Sequence, residues 1–454
     1  MQFVLLSGGS GKRLWPISND ARSKQFIKIF PRMGGEKESM IQRNFRQLTG
    51  LYSPENITIA TAKSQVSSVQ NQLGAGVRLC VEPERRDTFP AMALVAAYLR
   101  EKVGCRESEP VVVFPVDPYV ERPYFEALGR LAERVAVSQS ELVLLGIEPT
   151  YPSEKYGYIL PEFSSGTSRQ EDKSSIYARV RSFTEKPDEW TAARYIEQGG
   201  LWNGGVFACH LGYLLKKTQE LLPWQHYNDL LEHYAELPRI SFDYAVVEKE
   251  IQLEVMHFAG IWKDLGTWNT ITEAMESHIQ GKGLLDDSSV NVHIVNELDV
   301  PVIGLGVRDM VVAASPEGVL VADKEQSSYL KPLVERLGQR TMMGEKSWGS
   351  FRIMDESTES LTLKVTLEAG NGMNYHAHER RSEAWIITAG KGQAIIDGTV
   401  LDVAPGDTVR LPCGCKHMLM AGDVRLEAVE VQVGKDITVQ DKVIFSLENP
   451  KRNG

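Results

Sequence analysis

Apolar runs alternate with segments of helical periodicity along the first 280 residues of this 454-residue chain. Short runs rich in valine, isoleucine, leucine and phenylalanine, each bounded by polar or glycine-containing residues, predict buried β-strands. Alternation of such strands with helices is typical of an α/β domain with a mixed, mostly parallel sheet. Residues 90–102 predict a buried helix with proline in its first turn. Strands are predicted at residues 3–6, 57–60, 111–116, 142–147, 178–185, 205–208 and 253–258.

The pattern changes after residue 280. Residues 284–322 contain short β-branched runs separated by Asp, Asn, Gly and Pro, which predicts a small all-β unit. The apolar positions of residues 324–340 fall on one helical face and predict a connecting helix. From residue 344 onward, alternating strands with regular Gly and Pro turns favour a small β-barrel. The predicted domains are residues 1–280 (α/β), 281–323 (all-β unit), 324–343 (connecting helix) and 344–454 (β-barrel).

Bulk composition narrows the functional classes. Hydrophobic residues make up 42 % of the chain, and no apolar run approaches the length of a membrane span. A net charge of −10 argues against a dedicated nucleic-acid-binding protein, whose affinity depends on basic surface. The five cysteines form no evident disulfide framework, and the chain opens on a predicted strand rather than a basic leader. We therefore expect a cytoplasmic protein without membrane or nucleic-acid partners.

The most informative motif follows the first predicted strand. Its glycines allow backbone N–H groups to approach a polyanion, and Lys12 and Arg13 add positive charge where a phosphate chain would lie. A Walker A loop is excluded because Arg13, rather than Ser or Thr, follows Lys12. A dinucleotide fingerprint is excluded because Leu14 stands where a third glycine is required, which leaves an ordinary strand-to-helix turn as the alternative. The predicted nucleotide-phosphate residues of this loop are Ser7, Gly8, Gly9, Gly11, Lys12 and Arg13.

Two aspartates are candidates for binding a divalent cation. Asp117 ends a hydrophobic strand, and ligands of open α/β sheets bind beyond the carboxyl ends of strands. Asp264 lies in a separate turn bounded by glycine and tryptophan. Either aspartate alone would more often be a helix cap or a turn residue. Together with the glycine loop, the two predict a Mg²⁺ site.

A further group of residues is suited to a sugar phosphate. Lys186 follows Glu185 at a predicted strand end, and this pair is either a solvated ion pair or a phosphate-binding lysine beside a hydroxyl-binding carboxylate. Asn203, next to two glycines, offers an amide for sugar hydroxyls, and Gly157 allows the backbone to approach the sugar. We predict that Gly157, Glu185 and Asn203 bind the sugar.

The order of these motifs is similar to that of a known family. The segments LSGGSGKRLWP, SKQF, VEPERRDTFPAMAL, FPVDP, GIEPTYPSEKYGYI, FTEKPD, LWNGGVF, SFDYAVVEK and WKDLGTW resemble those of the long bacterial mannose-1-phosphate guanylyltransferases. Ser23 stands where that family commonly has proline, and Pro118 stands where it usually has histidine. The resemblance implies a Rossmann-like nucleotidyltransferase domain, a left-handed β-helix-like unit after it, and a homodimer.

The resemblance also implies a reaction. Mannose 1-phosphate attacks the α-phosphorus of GTP in line, and pyrophosphate leaves as GDP-mannose forms. Guanine presents N–H donors at N1 and N2, and Glu82 is the candidate acceptor for them. By the same resemblance, Arg13 and Lys24 bind the nucleotide phosphates, Asp117 and Asp264 hold the metal, and Lys186 meets the sugar phosphate.

The C-terminal barrel region contains four candidate metal ligands. His376 and His378 alternate along a strand and therefore point to the same face. Glu383 follows at the spacing found in cupin barrels, and His417 lies on a later strand. Three imidazoles and one carboxylate suit Zn²⁺, Fe²⁺, Mn²⁺ or Ni²⁺. The alternative is that one or two of the four are ordinary polar residues of the barrel.

This barrel is similar to the type II phosphomannose isomerase domain of bifunctional guanylyltransferases. It departs from that domain where His376 replaces glutamine, where Met418 replaces arginine, and where residues 438–442 replace an acidic segment ending in arginine. Isomerisation requires a base and cations that hold the phosphate. We therefore expect a metal-binding cupin with weak or absent isomerase activity.

Other functions stay open at this point. The N-terminal domain can use a different nucleotide or hexose 1-phosphate, or the chain can be bifunctional with mannose-6-phosphate isomerase activity. Functions from other classes are a catalytically decayed sugar-nucleotide sensor and a cupin enzyme with a structural N-terminal domain. The presence of Arg13, Lys24, Asp117, Lys186 and Asp264 argues against both.

Overall fold

The chain forms two compact units in the computed structural model. The first unit contains Met1–Gly9 and Lys24–Gly266, and the second contains Ser10–Ser23 and Thr267–Gly454. The four domain boundaries given above stay predictions. The residues that the structure describes are 1–9, 12–19, 21–32, 34–162, 176–221, 224–338, 340–435, 437–438, 440–447 and 451–452.

A mixed sheet forms the centre of the first unit. Its strands are β1 (Gln2–Ser7), β2 (Ile57–Ala62), β3 (Leu79–Glu82), β4 (Pro110–Pro115), β5 (Leu142–Ile147), β6 (Tyr158–Pro161), β7 (Tyr177–Thr184), β8 (Leu201–His210) and β9 (Leu253–Phe258). They follow the order β3-β2-β1-β4-β8-β5-β9-β7-β6 across the sheet. All predicted strands are confirmed, whereas β3 and β6 are additional to the prediction.

The first four of these strands are parallel to one another. The pairs β3–β2, β2–β1 and β1–β4 run parallel, as does β5–β9. The long strand β8 lies between β4 and β5 and runs antiparallel to both. Strand β7 pairs antiparallel with β9 and β6. The sheet is therefore parallel in its N-terminal part and mixed beyond it.

Both faces of this sheet are buried, which explains why its strands are continuously apolar. Along β4, Val111 and Val113 enter one core, while Val112 and Phe114 enter the core on the other face. The predicted helix at residues 90–102 is confirmed as the first unit's third helix, which continues as a π-helical turn at Leu99–Val103. The helices of this unit are α1 (Met40–Thr49), α2 (Val66–Leu73), α3 (Thr88–Tyr98), α4 (Arg122–Val137), α5 (Glu189–Glu197), α6 (Leu211–Leu221), α7 (Tyr227–Glu232) and α8 (Phe242–Ala245).

The second unit contains a set of short strands, most of which pair in parallel. Helix α9 (Trp268–Glu273) precedes them. The predicted connecting helix is shorter than expected: a 3₁₀ turn at Gln326–Tyr329 precedes α10 (Leu330–Leu337). The helix ends there because Gly338 adopts a left-handed conformation with φ of +59°. One parallel sheet contains Ile279–Gln280, His293–Asn296 and Met310–Ser315, with Gly318–Asp323 added antiparallel, and Gly283–Leu285 pairs in parallel with Val302–Gly304.

Two mainly antiparallel sheets then enclose a separate core, as expected for a cupin barrel. Trp385, Leu367 and Leu419 are among its fully buried residues. No helix in the described part of the chain is long and apolar enough to cross a membrane. The first sheet contains Met343–Lys346, Gly349–Glu356, Ser360–Leu367, Leu426–Gly434, Arg381–Ala389 and Thr408–Leu411, and the second contains Val443–Ile444, His376–Ala377, His417–Ala421, Gly392–Ile396, Thr399–Val403 and Lys451–Arg452.

Candidate active site and metal centre

The two candidate metal-binding aspartates of the first unit lie side by side. Asp117 follows β4, and the next residues pair as a short ribbon, Pro118–Val120, with Trp262–Asp264. In this ribbon Asp264 lies opposite Pro118, which brings the two carboxylates together. The buried Asn44 of α1 donates from Nδ2 to the carbonyl oxygens of Val116 (2.8 Å) and Pro118 (3.4 Å). This amide therefore fixes the turn that carries Asp117.

Lys24 joins the two aspartates. Its Nζ lies 2.7 Å from Asp117 Oδ2 and 3.6 Å from Asp264 Oδ1. Burial opposes the charge on Asp117, but the Lys24 ammonium outweighs it and lowers the pKa of that carboxyl. Gln25 and Phe26, buried in the same 3₁₀ turn, anchor Lys24 to the domain. The structure thus brings together three predicted site residues that are far apart in sequence.

The predicted sugar-binding residues line the same cleft, whose volume is about 230 Å³. Gly157 packs against Glu185 so closely that a Cβ there would lie 2.4 Å from Glu185 Oε2. This Oε2 is buried and has no hydrogen-bond partner among the described residues. It is thus a ready acceptor for a ligand hydroxyl. The lining residues are Pro115, Asp117, Pro118, Lys155, Tyr156, Gly157, Glu185, Asn203, Gly204, Gly205, Asp243, Trp262 and Asp264.

Asp243 was not predicted from the sequence, although it is central to this part of the cleft. The Nδ2 of Asn203 donates to Asp243 Oδ1 at 2.6 Å, and the backbone N–H of Gly205 donates to Asn203 Oδ1 at 3.1 Å. Burial, reinforced by the nearby Glu185, raises the pKa of Asp243 to about 6. The only signal in the sequence was its position in the segment SFDYAVVEK.

Lys186 extends from the sugar side of the cleft toward solvent. Its Nζ lies 2.6 Å from Glu185 Oε1 and its side chain is 54 % exposed, so the ammonium can move to an incoming phosphate. The backbone of Lys186 has φ of +47°, a region that non-glycine residues seldom adopt. Such conformations cluster at ligand sites, which is consistent with the predicted role.

The glycine loop after β1 is held by side chains of the first unit. Ser7 is buried, and its hydroxyl accepts a hydrogen bond from Gln25 Nε2 at 3.4 Å. Gln65 Nε2 donates to the carbonyl oxygen of Gly9 at 3.3 Å. Gly8 and Gly9 are exposed, so their backbone is accessible to a ligand.

The remaining predicted nucleotide-binding residues are Gly11, Lys12, Arg13 and Glu82. Gly11 is outside the described residues, and Lys12 is described only as the start of the 3₁₀ turn Lys12–Leu14. Arg13 is exposed in that turn and belongs to the second unit. Glu82 ends β3 as a buried carboxylate whose Oε2 accepts the Tyr234 hydroxyl at 2.8 Å. Burial raises the pKa of Glu82 to about 7.

The four predicted ligands of the barrel form one buried cluster. The ligand atoms of His376, His378, Glu383 and His417 all lie within 4.8 Å of one another. Each histidine uses its Nδ1 on a backbone carbonyl: His376 on Asn374 (2.6 Å), His417 on Cys415 (3.0 Å), and His378 on Asp441. These bonds orient all three Nε2 atoms as potential metal donors.

Two of the three Nε2 atoms lie close to the carboxylate of Glu383. Glu383 Oε1 lies 3.1 Å from His378 Nε2, and Glu383 Oε2 lies 3.3 Å from His417 Nε2. With Nδ1 donating to a carbonyl, a neutral imidazole has only a lone pair on Nε2, which a carboxylate repels. A cation near both groups offsets this repulsion. Burial lowers the pKa of His376 to about 3, which favours the neutral imidazole that binds metals.

A buried arginine contributes part of that positive charge. Arg381 donates from Nε to Glu383 Oε1 at 3.0 Å, and its Nη2 lies 3.1 Å from His378 Nε2. The guanidinium also donates from Nη1 to the carbonyl oxygen of Thr438 at 2.9 Å. A metal ion that uses His378 and Glu383 would have to displace these bonds of Arg381. The donor set fits a divalent transition metal, and Arg381 would compete with that metal for His378 and Glu383.

Known proteins similar to this chain cover both of its parts. The family model described as nucleotidyl transferase matches residues 2–281, and the one described as mannose-6-phosphate isomerase C-terminal matches residues 338–448. The mannose-1-phosphate guanylyltransferase of Klebsiella pneumoniae is 29 % identical, over 96 % of this chain and 97 % of its own. The alginate biosynthesis protein AlgA of Pseudomonas putida is also 29 % identical, over 96 % and 94 %.

A solved structure extends this similarity to three dimensions. It comes from Thermus thermophilus and is described as a mannose-1-phosphate geranyltransferase. It is 30 % identical to this chain, with coverage of 74 % of this chain and 99 % of its own and a TM-score of 0.61. Since the matched model spans more than half of the sequence, the chain belongs to the nucleotidyl transferase family and carries a C-terminal region of the mannose-6-phosphate isomerase type.

Proposed function

We propose that the protein makes GDP-mannose and pyrophosphate from GTP and mannose 1-phosphate. The observation that carries this proposal is the cleft in which Lys24 bridges Asp117 and Asp264, with the acceptors Glu185 and Asp243 among its other lining residues. Cationic and carboxylate groups of this kind serve phosphoryl chemistry, and buried acceptors serve sugar hydroxyls. The full-length similarity to guanylyltransferases supports the choice of substrates.

The residues act by positioning and charge. Lys24 and Arg13 bind the nucleotide phosphates and neutralise charge that develops at the α-phosphorus. Lys186 leaves Glu185 to bind the phosphate of mannose 1-phosphate, whose oxygen then lies in line with the leaving pyrophosphate. Glu185 Oε2 and the Asn203–Asp243 pair bind sugar hydroxyls. No covalent enzyme intermediate is needed, because phosphoryl transfer depends mainly on alignment and electrostatics.

Asp117 and Asp264 fit a magnesium ion. Both are oxygen donors, both are only half-buried, and Lys24 already compensates their charge in this structure. When bound there, Mg²⁺ would supply charge neutralisation for the phosphates and complete its coordination with phosphate oxygens and water. Asp117 and Asp264 would hold it.

The proposal is tested by a matrix of substrates. Each of the four common NTPs is combined with mannose, glucose, galactose and N-acetylglucosamine 1-phosphates in the presence of Mg²⁺, and pyrophosphate release is measured. We expect the highest kcat/KM for GTP with mannose 1-phosphate. A higher value for another pair would reassign the substrate, and the absence of release from every pair would favour a decayed sensor.

Glu82 is proposed as the acceptor for the guanine N–H donors, and Glu82→Gln tests this role. Glutamine retains a carbonyl oxygen for the Tyr234 hydroxyl but offers an N–H where the carboxylate had a second acceptor. We expect the ratio of kcat/KM for GTP to that for ATP to fall by about tenfold, the effect of one hydrogen bond to a charged group. An unchanged ratio would exclude Glu82 from base recognition.

The same substitution has an expected effect on stability. The pKa of Glu82 is raised from 4.5 to about 7, so between these pH values the unfolded chain releases a proton that the folded chain retains. The wild type therefore loses stability as the pH rises through this window, by up to ~3 kcal/mol. The melting temperature of Glu82→Gln, relative to that of the wild type, should rise between pH 4.5 and pH 7 and stay constant above it.

For the barrel we propose a divalent transition metal bound by His376, His378, Glu383 and His417. His417 Nε2 is buried 3.3 Å from Glu383 Oε2 and makes no hydrogen bond to the described residues, which supports metal binding at this atom. His417→Ala should lower the metal content of purified protein, measured by elemental analysis, to less than about one tenth of the wild-type value. His233→Ala, which changes an exposed histidine on the first unit, is the control. Equal metal content in wild type and His417→Ala would exclude the site.

We also propose that this barrel has weak or absent isomerase activity. His376, Met418 and residues 438–442 depart from the isomerase pattern. Against this, burial raises the pKa of Glu430 to about 7, which is near the value that suits a general base. To test this activity, the full chain is loaded with each candidate metal, and its interconversion of mannose 6-phosphate and fructose 6-phosphate is measured. A turnover comparable to that of nucleotidyl transfer would contradict it.

Finally, we propose a cytoplasmic homodimer. The five cysteines are all free, which supports a reducing compartment. The all-β unit exposes several apolar side chains that a second copy can cover. Size-exclusion chromatography with light-scattering detection should give twice the mass of the monomer. A mass equal to that of the monomer would contradict the dimer. These exposed residues are Leu284, Ile303, Leu305, Val319 and Val321.

A further inference from the structure

Lys155 lines the cleft that contains Asp117 and Asp264. Among the lining residues in the described part of the chain, it is the single lysine or arginine. Its side chain is exposed, and its ammonium makes no ion pair or hydrogen bond with any residue that the structure describes. The cleft therefore has one cation in its wall that is available to an anionic ligand.

A chain of hydrogen bonds fixes the backbone at Lys155. The N–H of Ser153 donates to the hydroxyl oxygen of Tyr158 at 2.9 Å, and the N–H of Lys155 donates to Ser153 Oγ at 3.2 Å. Ser153 and Tyr158 are both buried, and the Tyr158 hydroxyl also accepts from Trp202 Nε1 at 3.0 Å. The place at which the Lys155 side chain leaves the backbone is therefore set before a ligand arrives, which lowers the entropic cost of binding.

Lys155 is also close to the predicted sugar-binding residues. The next residue, Tyr156, packs edge-on against Trp262, with ring centroids 5.5 Å apart. Gly157 then packs against Glu185, whose Oε2 is the buried acceptor of the cleft. Two residues of chain span at most about 7 Å, so a sugar bound by Glu185 lies close to the base of the Lys155 side chain. The phosphate of such a sugar comes within reach of the ammonium.

The charges of the cleft favour a phosphate as the ligand of Lys155. Lys24 is bound by two aspartates, and Lys186 Nζ lies 2.6 Å from Glu185 Oε1. When Lys186 moves to a phosphate, it leaves the Glu185 carboxylate without its counter-charge, which offsets part of the gain. Lys155 has no ion pair to lose among the described residues. A phosphate monoester carries about −1.5 to −2 charges at pH 7, which one lysine does not neutralise.

We propose that Lys155 binds the phosphate of the hexose 1-phosphate, as a second lysine beside Lys186. This role rests on the proposed function, in which the cleft holds the sugar substrate. Two ammonium groups neutralise a dianionic phosphate and hold it in one orientation, which aligns its oxygen for attack on the α-phosphorus. Local patterns do not reveal this role, because a lone lysine beside Glu154 in a polar loop is typical of a solvated surface.

The test compares Lys155→Met with Lys155→Arg in the full-length protein. Methionine retains the length and apolar stem of lysine but removes the ammonium. At saturating GTP and Mg²⁺, we expect kcat/KM for mannose 1-phosphate to fall by about tenfold in Lys155→Met, the effect of one hydrogen bond to a charged group, while KM for GTP changes less than about twofold. Lys155→Arg retains the charge and should recover most of the loss. Lys216→Met, which removes an exposed lysine of α6, is the matched control and should equal the wild type.

Salt separates a direct charge contact from a general loss of structure. The distance beyond which charges are screened falls from about 10 Å at 0.1 M salt to about 3 Å at 1 M. The ratio of the wild-type kcat/KM for mannose 1-phosphate to that of Lys155→Met should therefore fall toward one over this range. A ratio that stays constant would show that the substitution acts through the loop rather than through charge, and it would overturn the inference.

Two other results with Lys155→Met would overturn the inference. One is an unchanged kcat/KM for mannose 1-phosphate, and the other is a rise in KM for GTP alone, which would place Lys155 at the nucleotide. In both cases the wild type still transfers the nucleotide to mannose 1-phosphate, so the proposed function stands. A wild type that releases no pyrophosphate from GTP and mannose 1-phosphate would instead overturn the proposed function, so the two failures are distinguishable.

Discussion

Replacement of Lys24 with methionine should lower kcat for nucleotidyl transfer by about 10²- to 10³-fold, the range for loss of one preorganised charge-stabilising donor. Methionine retains the length and apolar stem of lysine but removes the ammonium that lies 2.7 Å from Asp117 and 3.6 Å from Asp264. The measurement is the initial rate of pyrophosphate release at saturating GTP, mannose 1-phosphate and Mg²⁺.

In the same Lys24→Met variant we expect the affinity for a divalent cation to be retained or to rise, although the rate falls. Without the ammonium, Asp117 and Asp264 lose their counter-charge, and a divalent cation becomes their remaining source of compensation. Binding of Mn²⁺, followed by electron paramagnetic resonance, should be as tight as in the wild type or tighter. Lys216→Met, which removes an exposed lysine from the same unit, should leave rate and affinity unchanged. A wild-type rate in Lys24→Met would exclude the phosphate role.

Replacement of Asp264 with asparagine should reduce both rate and metal affinity. The substitution retains size and one oxygen donor but removes the charge that attracts a hard cation. We expect kcat/KM for GTP to fall by about 10²-fold or more, because a catalytic metal contributes several kcal/mol of charge stabilisation. The concentration of Mg²⁺ that gives half-maximal rate should rise in parallel.

Asp229→Asn is the matched control for this substitution. Asp229 lies on α7 and does not line the cleft, so its replacement should leave the Mg²⁺ dependence unchanged. If Asp264→Asn lowers the rate while its Mg²⁺ dependence stays that of the wild type, Asp264 acts on substrate rather than on metal. Comparison of Lys24→Met with Asp264→Asn therefore separates the two electrostatic roles proposed in this cleft, namely phosphate binding by Lys24 and metal binding by Asp264.

Local sequence patterns were sufficient to predict the centre of the cleft. Asp117 is recognisable because it ends a continuously apolar strand, and residues at such ends converge in α/β sheets. Lys24 and Asp264 are recognisable only as members of motifs, yet the same topology brings them within reach of Asp117. Two of the four candidate ligands of the barrel, His376 and His378, are recognisable because alternation along a strand fixes the face on which a side chain lies.

Other features depend on packing between distant segments, which local patterns do not reveal. Asp243 lies in the first turn of α8 after the N-cap Ser241, where an acid is expected for helix stability alone. The side chains of Asn19 and Glu317 form a buried hydrogen bond although they are separated by 298 residues, so no periodicity relates them. The shortening of the predicted helix at residues 324–340 follows from Gly338, a helix-ending signal that the apolar periodicity concealed.

The most direct measurement is a crystal structure of the wild type soaked with GDP-mannose and Mn²⁺, in which the anomalous signal locates the ion. We expect a peak between the carboxylates of Asp117 and Asp264, the diphosphate beside Lys24, and the hexose against Glu185 and Asn203. Density for the nucleotide sugar at any other place, with this cleft empty, would contradict the assignment of the cleft as the site of transfer.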